Sequence, residues 1–105
     1  MSANSGPLQG ITVVDFTQMM AGPFATQILS DLGATVIKVE KPLVGEWERS
    51  LASMGEFFHG QSPFFLAMNR GKQSLGIDLK SDAGKDVVRK LIAQADVVTS
   101  NFRPG

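Results

Sequence analysis

Ile11-Thr12-Val13-Val14-Asp15-Phe16, Ala21-Gly22-Pro23-Phe24-Ala25-Thr26-Gln27-Ile28-Leu29-Ser30-Asp31-Leu32-Gly33 and Thr35-Val36-Ile37-Lys38-Val39-Glu40 follow one another and decide the fold. The first run is β-branched and partly apolar on both faces, which suits a strand buried in a parallel sheet over residues 11–16. Pro23 stands where the first turn of a helix tolerates a missing N–H. Phe24, Ala25, Ile28, Leu29 and Leu32 then recur at three- and four-residue spacing, so a helix is expected over 22–32. Gly33 closes it as a left-handed cap, and a second strand follows at 35–40. Strand, helix and strand joined by such short links form one right-handed crossover unit.

Beyond Glu40 the periodicity stops. Residues 41–62 hold Pro42, Gly45, Gly55 and Gly60 with Trp47, Phe57 and Phe58, and read as a long loop with aromatic content. Pro63 to Met68 suits a short helix, and the polar–apolar alternation from Gln73 to Leu79 gives a third strand over 73–79. Ser81 caps a helix over 82–95 whose Val87, Val88, Leu91, Ile92 and Ala95 make one apolar stripe, and a fourth strand spans 96–100. The fold class is α/β, an open parallel sheet of the Rossmann-like, doubly wound kind. Residues 1–105 make a single partial domain, because two full helices are few to cover both faces of four strands.

Composition narrows the function. Hydrophobic residues make up 43% of the chain and charged ones 19%, the balance of a globular domain rather than a disordered tail. Ten basic and ten acidic residues are dispersed along the chain, so neither nucleic acid nor an anionic membrane is expected as a partner. The absence of cysteine removes disulfides, thiol catalysis and thiolate metal sites. No apolar run reaches the about 18 residues of a membrane span, and the opening residues lack the pattern of a signal peptide, so the expected address is cytoplasmic.

The residues offering chemistry each have a plainer explanation. A strand, a glycine turn, a helix and a strand ending in Glu40 resemble half of a dinucleotide-binding fold, but Ala21-Gly22-Pro23-Phe24-Ala25-Thr26 supplies one Gly where that fingerprint asks for three. Gly22 serves either a sharp turn or the close approach of a ligand. Asp15, at the carboxyl end of the first strand, is expected to accept backbone N–H groups at the turn more than to catalyse. His59, the only histidine, reads as a loop residue, and Asp78, Asp82 and Asp86 lack a chelating spacing, so no metal is expected. Asn69-Arg70-Gly71-Lys72 offers two cations as a phosphate or carboxylate grip, with a solvated basic turn as the alternative. Asn101-Phe102-Arg103-Pro104-Gly105 combines an amide, a ring and a guanidinium after the fourth strand, suited to stacking on a base or to a simple turn.

The order of these pieces carries a resemblance. Gly6 to Thr17, Ala21 to Thr26, Asp31 to Pro42, Asn69 to Ser74 and Asp96 to Gly105 closely resemble the N-terminal segment of family III CoA-transferases, the group of formyl-CoA and carnitine CoA-transferases. The resemblance implies a Rossmann-like large domain whose chain continues through a small domain, with two chains interlocked as a homodimer. It implies acyl-CoA and a carboxylate acceptor as substrates. The reaction runs through an aspartyl-CoA thioester, and the Asp that forms it lies downstream of the matched segment, so no catalytic residue is assigned here. Positions matching Ala21, Lys41, Ile77, Lys80, Asn101 and Phe102 line coenzyme A in family members. Lys41 and Lys80 would meet phosphates, and Asn101 and Phe102 would meet adenine.

The sequence departs from the formyl-CoA transferases at Gln18 and Met20, where these carry His and Gln, which favours a bulkier or less polar acyl group. The related α-methylacyl-CoA racemases, a nicotinamide-binding half-domain and a non-catalytic remnant are the alternatives.

Overall fold

The computed structural model describes residues 5–50, 56–57 and 59–104. Four parallel strands, β1 (Thr12–Asp15), β2 (Thr35–Glu40), β3 (Gln73–Gly76) and β4 (Val97–Thr99), form one sheet in the order β3-β2-β1-β4. The chain steps outward from β1 to β3 and then returns to place β4 on the other side of β1. That reversal leaves a topological switch point at the carboxyl ends of β1 and β4, where open α/β sheets gather ligands.

Successive residues of β1 and β2 serve opposite faces, as the two-residue period of a strand requires. Val13 and Val36 pack with Ala34 beneath Leu29 of helix α1 (Ala21–Asp31), with Leu8 and Ile11 beside them. Val14, Phe16, Val39 and Ile77 form a second cluster against Val88, Leu91 and Ala95, on or just after helix α3 (Asp82–Gln94). Helices therefore cover both faces. The short helix α2 (Pro63–Asn69) packs against α1 and against a 3₁₀ turn at Trp47–Ser50.

Local signals end the elements where steric rules place them. Gly33 has φ +107°, and its N–H donates to the Ser30 carbonyl at 3.0 Å, which closes α1 in a conformation that L side chains rarely adopt. The Ser81 hydroxyl accepts the Gly84 N–H at 2.9 Å and caps α3, while Ser62 does the same for α2 through the Phe65 N–H at 3.2 Å.

Three expectations need correction. The third strand stops at Gly76 rather than residue 79, because the chain turns around Asp78, whose carboxylate accepts the Lys80 N–H. The loop over 41–62 contains the Trp47–Ser50 turn; its residues 51–55 and 58 lie outside the described ones. The apolar stripe of α3 divides: Val88, Leu91 and Ala95 face the core, whereas Val87 and Ile92 are exposed. The outer strands β3 and β4 are largely exposed as well.

Candidate functional site

On the α1 side of the sheet, the apolar pair Val13 and Val36 gives way toward the carboxyl edge to Asp15, Lys38 and Glu40, all buried. Burying charges is tolerable only with partners, and each has them. The Asp15 carboxylate accepts the Thr17 N–H at 2.9 Å, the Thr17 hydroxyl, the Thr26 hydroxyl at 2.6 Å, the Thr99 hydroxyl at 3.2 Å and the Lys72 ammonium at 3.1 Å. Burial raises its pKa, but the Thr17 and Thr26 hydroxyls, Lys72 and the Thr17 N–H outweigh burial and hold it below its ordinary value. Lys72 also donates to the Pro23 carbonyl at 3.0 Å and the Asn69 side-chain oxygen at 2.8 Å, so three acceptors meet its three N–H groups.

Asn69-Arg70-Gly71-Lys72 is therefore no open anion grip. Lys72 does hold a carboxylate, but that of Asp15, and Arg70 pairs with Asp31 at 2.9 Å. Gly71, at φ +79°, makes the turn that aims Lys72 inward. Gly22 has a packing need of its own: a Cβ there would collide with the Thr17 side chain, which leans over the start of α1 toward Asp15.

The layer continues across β2. Lys38 donates to the Thr17 carbonyl at 3.0 Å and pairs with Glu46, whose other oxygen accepts the Met19 N–H at 2.9 Å. That bond holds Met19 at φ +74°, a strained value for a side chain with a Cβ. Glu40 receives the Arg49 guanidinium in a two-pronged bond at 2.8 Å from each nitrogen, together with the Ser74 hydroxyl and the Glu46 N–H. Arg49 lies over the Phe65 ring at 3.8 Å. Burial alone raises the pKa of Glu40, but the bonds from Arg49, Ser74 and Glu46 bring it to about 2 from an ordinary 4.5. A depressed carboxyl stabilises the fold above its unfolded value and loses that contribution as pH falls. About 3 kcal/mol should disappear between pH 4.5 and 2, and urea unfolding at stepped pH should show Glu40→Gln with a flatter acid limb than wild type.

Above this layer opens a cleft of about 850 Å³, walled by the loops after all four strands. Lys41, Val44, Trp47 and Arg49 come from the segment after β2; Ile77, Leu79 and Lys80 from the segment after β3; and Gln18 and Phe102 from the loops at the switch point. Phe102 packs against Phe16 with ring centroids 6.3 Å apart, yet it stays 48% exposed, and Trp47 is 47% exposed. The structure thus gathers four of the six sequence-derived candidates, Lys41, Ile77, Lys80 and Phe102, around one space.

The other two lie outside that wall. Asn101 accepts the Gln18 N–H at 2.9 Å and donates to the Gln18 carbonyl at 2.8 Å, bracing one switch-point loop against the other and leaving, among the described residues, one N–H and one lone pair uncommitted. Ala21 opens α1 and is exposed. Sequence reading missed Lys38, Glu46 and Glu48. A Lys in the middle of a strand expected to be buried on both faces was the available signal, since such a cation requires acidic partners.

An open parallel sheet, helices on both faces and a cleft across the carboxyl edge define the class as an open-sheet α/β domain. The chain belongs to CoA-transferase family III, whose profile matches residues 8–105. It is 43% identical over 99 residues to succinyl-CoA:glutarate CoA-transferase of Mus musculus, covering 94% of this chain and 22% of that protein. It is 41% identical over 100 residues to acetyl-CoA:oxalate CoA-transferase of Acetobacter aceti, covering 95% of this chain and 25% of that one. The crystal structure of a CAIB/BAIF family protein from Brucella suis superposes with a TM-score of 0.84 at 42% identity, over 92% of this chain and 26% of that chain. The chain thus spans about a quarter of the length of the relatives it matches.

Proposed function

We propose that the cleft binds coenzyme A, and that this chain is the N-terminal, CoA-binding portion of an acyl-CoA:carboxylate CoA-transferase. The observation that carries the reading is the convergence of two cations, Lys41 and Lys80, and two half-exposed rings, Trp47 and Phe102, on one space beside the switch point. Cations suit the diphosphate, and a ring face suits a base. Asn101 contributes by holding the Gln18 loop in place, and its uncommitted N–H can meet an adenine edge. Ala21 would approach the ligand only beyond the cleft described. The covalent chemistry, an Asp attacking the acyl-CoA to reach an aspartyl-CoA thioester, belongs to a residue outside this chain, so no side chain here is given that role. A carboxylate acceptor is part of the same proposal, supported by family membership; an interlocked homodimer and a cytoplasmic address are proposed with it from the sequence alone.

Titrating CoA and NAD against the chain by NMR shift mapping tests the reading. CoA should bind with a dissociation constant on the order of millimolar and perturb Lys41, Lys80 and Phe102. Lys41→Ala should weaken it about fivefold, the equivalent of about 1 kcal/mol for a cation meeting phosphate in partly screened solvent. The same preparation should turn over no acyl-CoA. Perturbation of the Gly22 turn by NAD, with no response of the cleft to CoA, would replace this reading with a dinucleotide site.

A further inference from the structure

One buried acid is left over from the network beneath the cleft. Lys38, Arg49 and Lys72 match Glu46, Glu40 and Asp15 one for one, each in an ion pair. Glu48, on the 3₁₀ turn between Trp47 and Arg49, is fully buried, and among the described residues neither of its carboxyl oxygens has a hydrogen-bond partner. A fourth negative charge there would have no cation of its own, whereas a neutral carboxyl balances the layer and supplies an O–H donor. Glu46, two residues earlier, is the acid that acts on it, through its charge and its side chain, and two neighbouring buried carboxyls do not both ionise readily.

We propose that Glu48 is a positioning residue for the cleft: it shares one proton with Glu46, and that proton locks the Trp47–Ser50 turn, and with it Trp47 and Arg49, as a wall of the cleft. The inference rests on the reading of the cleft as a CoA site only for its consequence on binding; the proton device stands on the buried layer alone. The groups facing Glu48 are Glu46 from its own segment, Lys38 from β2 and Lys72 from the segment before β3. Glu40 of β2 is occupied by Arg49, and α2, which packs on the turn, carries no ionisable side chain. Burial first and Glu46 second raise the Glu48 pKa to about 7, with Lys38 and Lys72 opposing.

The sign follows from that direction. An acid whose folded pKa exceeds its unfolded value stabilises the fold at low pH and loses that contribution as pH rises through the folded value. From about pH 4.5 to about pH 7 the stability of the fold should fall progressively, and as pH passes about 7 Glu48 ionises in the folded chain, becomes a buried anion without a partner, and the turn should loosen. CoA affinity should then fall.

Trp47 is the only Trp and the chain has no Tyr, so fluorescence reads the turn directly. On a scan from about pH 5.5 to about pH 8.5, wild-type emission should change with a midpoint near 7. Glu48→Gln should abolish the transition and melt above wild type at the alkaline end. His59→Gln should keep the transition, which separates it from the single histidine. A flat wild-type profile, or a transition that survives in Glu48→Gln, overturns the inference. Should Glu48→Gln fail to fold, the carboxyl carbon shift of Glu48 in the wild-type chain decides: titration near 7 supports the shared proton, and titration in the ordinary carboxylate range refutes it. In the CoA arm, wild type should bind several-fold tighter at the acid end and Glu48→Gln should bind with the smaller dependence of the ligand's own phosphate. A Trp47 transition without CoA binding removes the cleft assignment and leaves the proton device; CoA binding with a flat Trp47 signal does the reverse.

Discussion

Asp15→Ala will destabilise the fold by about 3–5 kcal/mol, a large part of the about 5–15 kcal/mol that holds a small domain together. The substitution removes little volume. Its cost comes from what remains: a buried Lys72 ammonium without its carboxylate, and the Thr17, Thr26 and Thr99 hydroxyls and the Thr17 N–H without their shared acceptor. Lys72 keeps the Pro23 carbonyl and the Asn69 oxygen, which are dipoles and do not neutralise it. Asp15→Asn removes the charge at constant shape, and also turns an amide donor toward the donors that Asp15 had accepted. Adding Lys72→Met to Asp15→Asn should recover part of the loss, because an unpaired charge costs more than an apolar replacement of the pair. Urea unfolding of wild type, Asp15→Asn, Lys72→Met and the double variant closes the cycle. An Asp15→Ala midpoint near that of wild type would mean that the layer is solvated and contributes little.

Gly84→Ala should cost about 2–3 kcal/mol, although Ala is the better helix former by about 1 kcal/mol. Gly84 is buried in the first turn of α3, and a Cβ there would overlap the Asp78 carbonyl oxygen, with the Asp78 carbonyl carbon at 2.8 Å and the Ser81 hydroxyl at 2.9 Å. The obstacle is backbone, and that backbone is held. Asp78 receives the Ser81 hydroxyl at 3.1 Å and the Ser81 N–H at 3.3 Å on its carbonyl, and the Lys80 N–H at 3.0 Å on its side chain. Relief must move either the α3 terminus or the Asp78–Lys80 turn, and the turn is a wall of the cleft. A lower thermal midpoint together with shifted amide signals at Leu79 and Lys80 is the expected outcome. A gain in stability would show that helix propensity had outweighed the clash.

What the sequence determined by itself was local. The alternation of strand and helix, the Gly33 and Ser81 caps and the parallel connection between β1 and β2 all follow from periodicity and backbone sterics within a few residues, and the described chain has them. The candidates Lys41, Ile77, Lys80 and Phe102 came from resemblance, and they converge because each follows a strand whose carboxyl end shares one edge of the sheet. Tertiary structure alone decided the rest. Asp15 and Lys72 are 57 positions apart, and Gln18 and Asn101 are 83 apart. No spacing rule links such pairs. Lys72 read as an anion grip because a basic turn looks the same whether it faces solvent or a buried Asp15. Glu46 and Glu48 escaped a reading inside the 41–62 loop because burial of a loop depends on what packs over it, here in part α2. The strand order β3-β2-β1-β4 brings the carboxyl ends of distant strands side by side, and the cost of burying a charge then selects the partners that survive there.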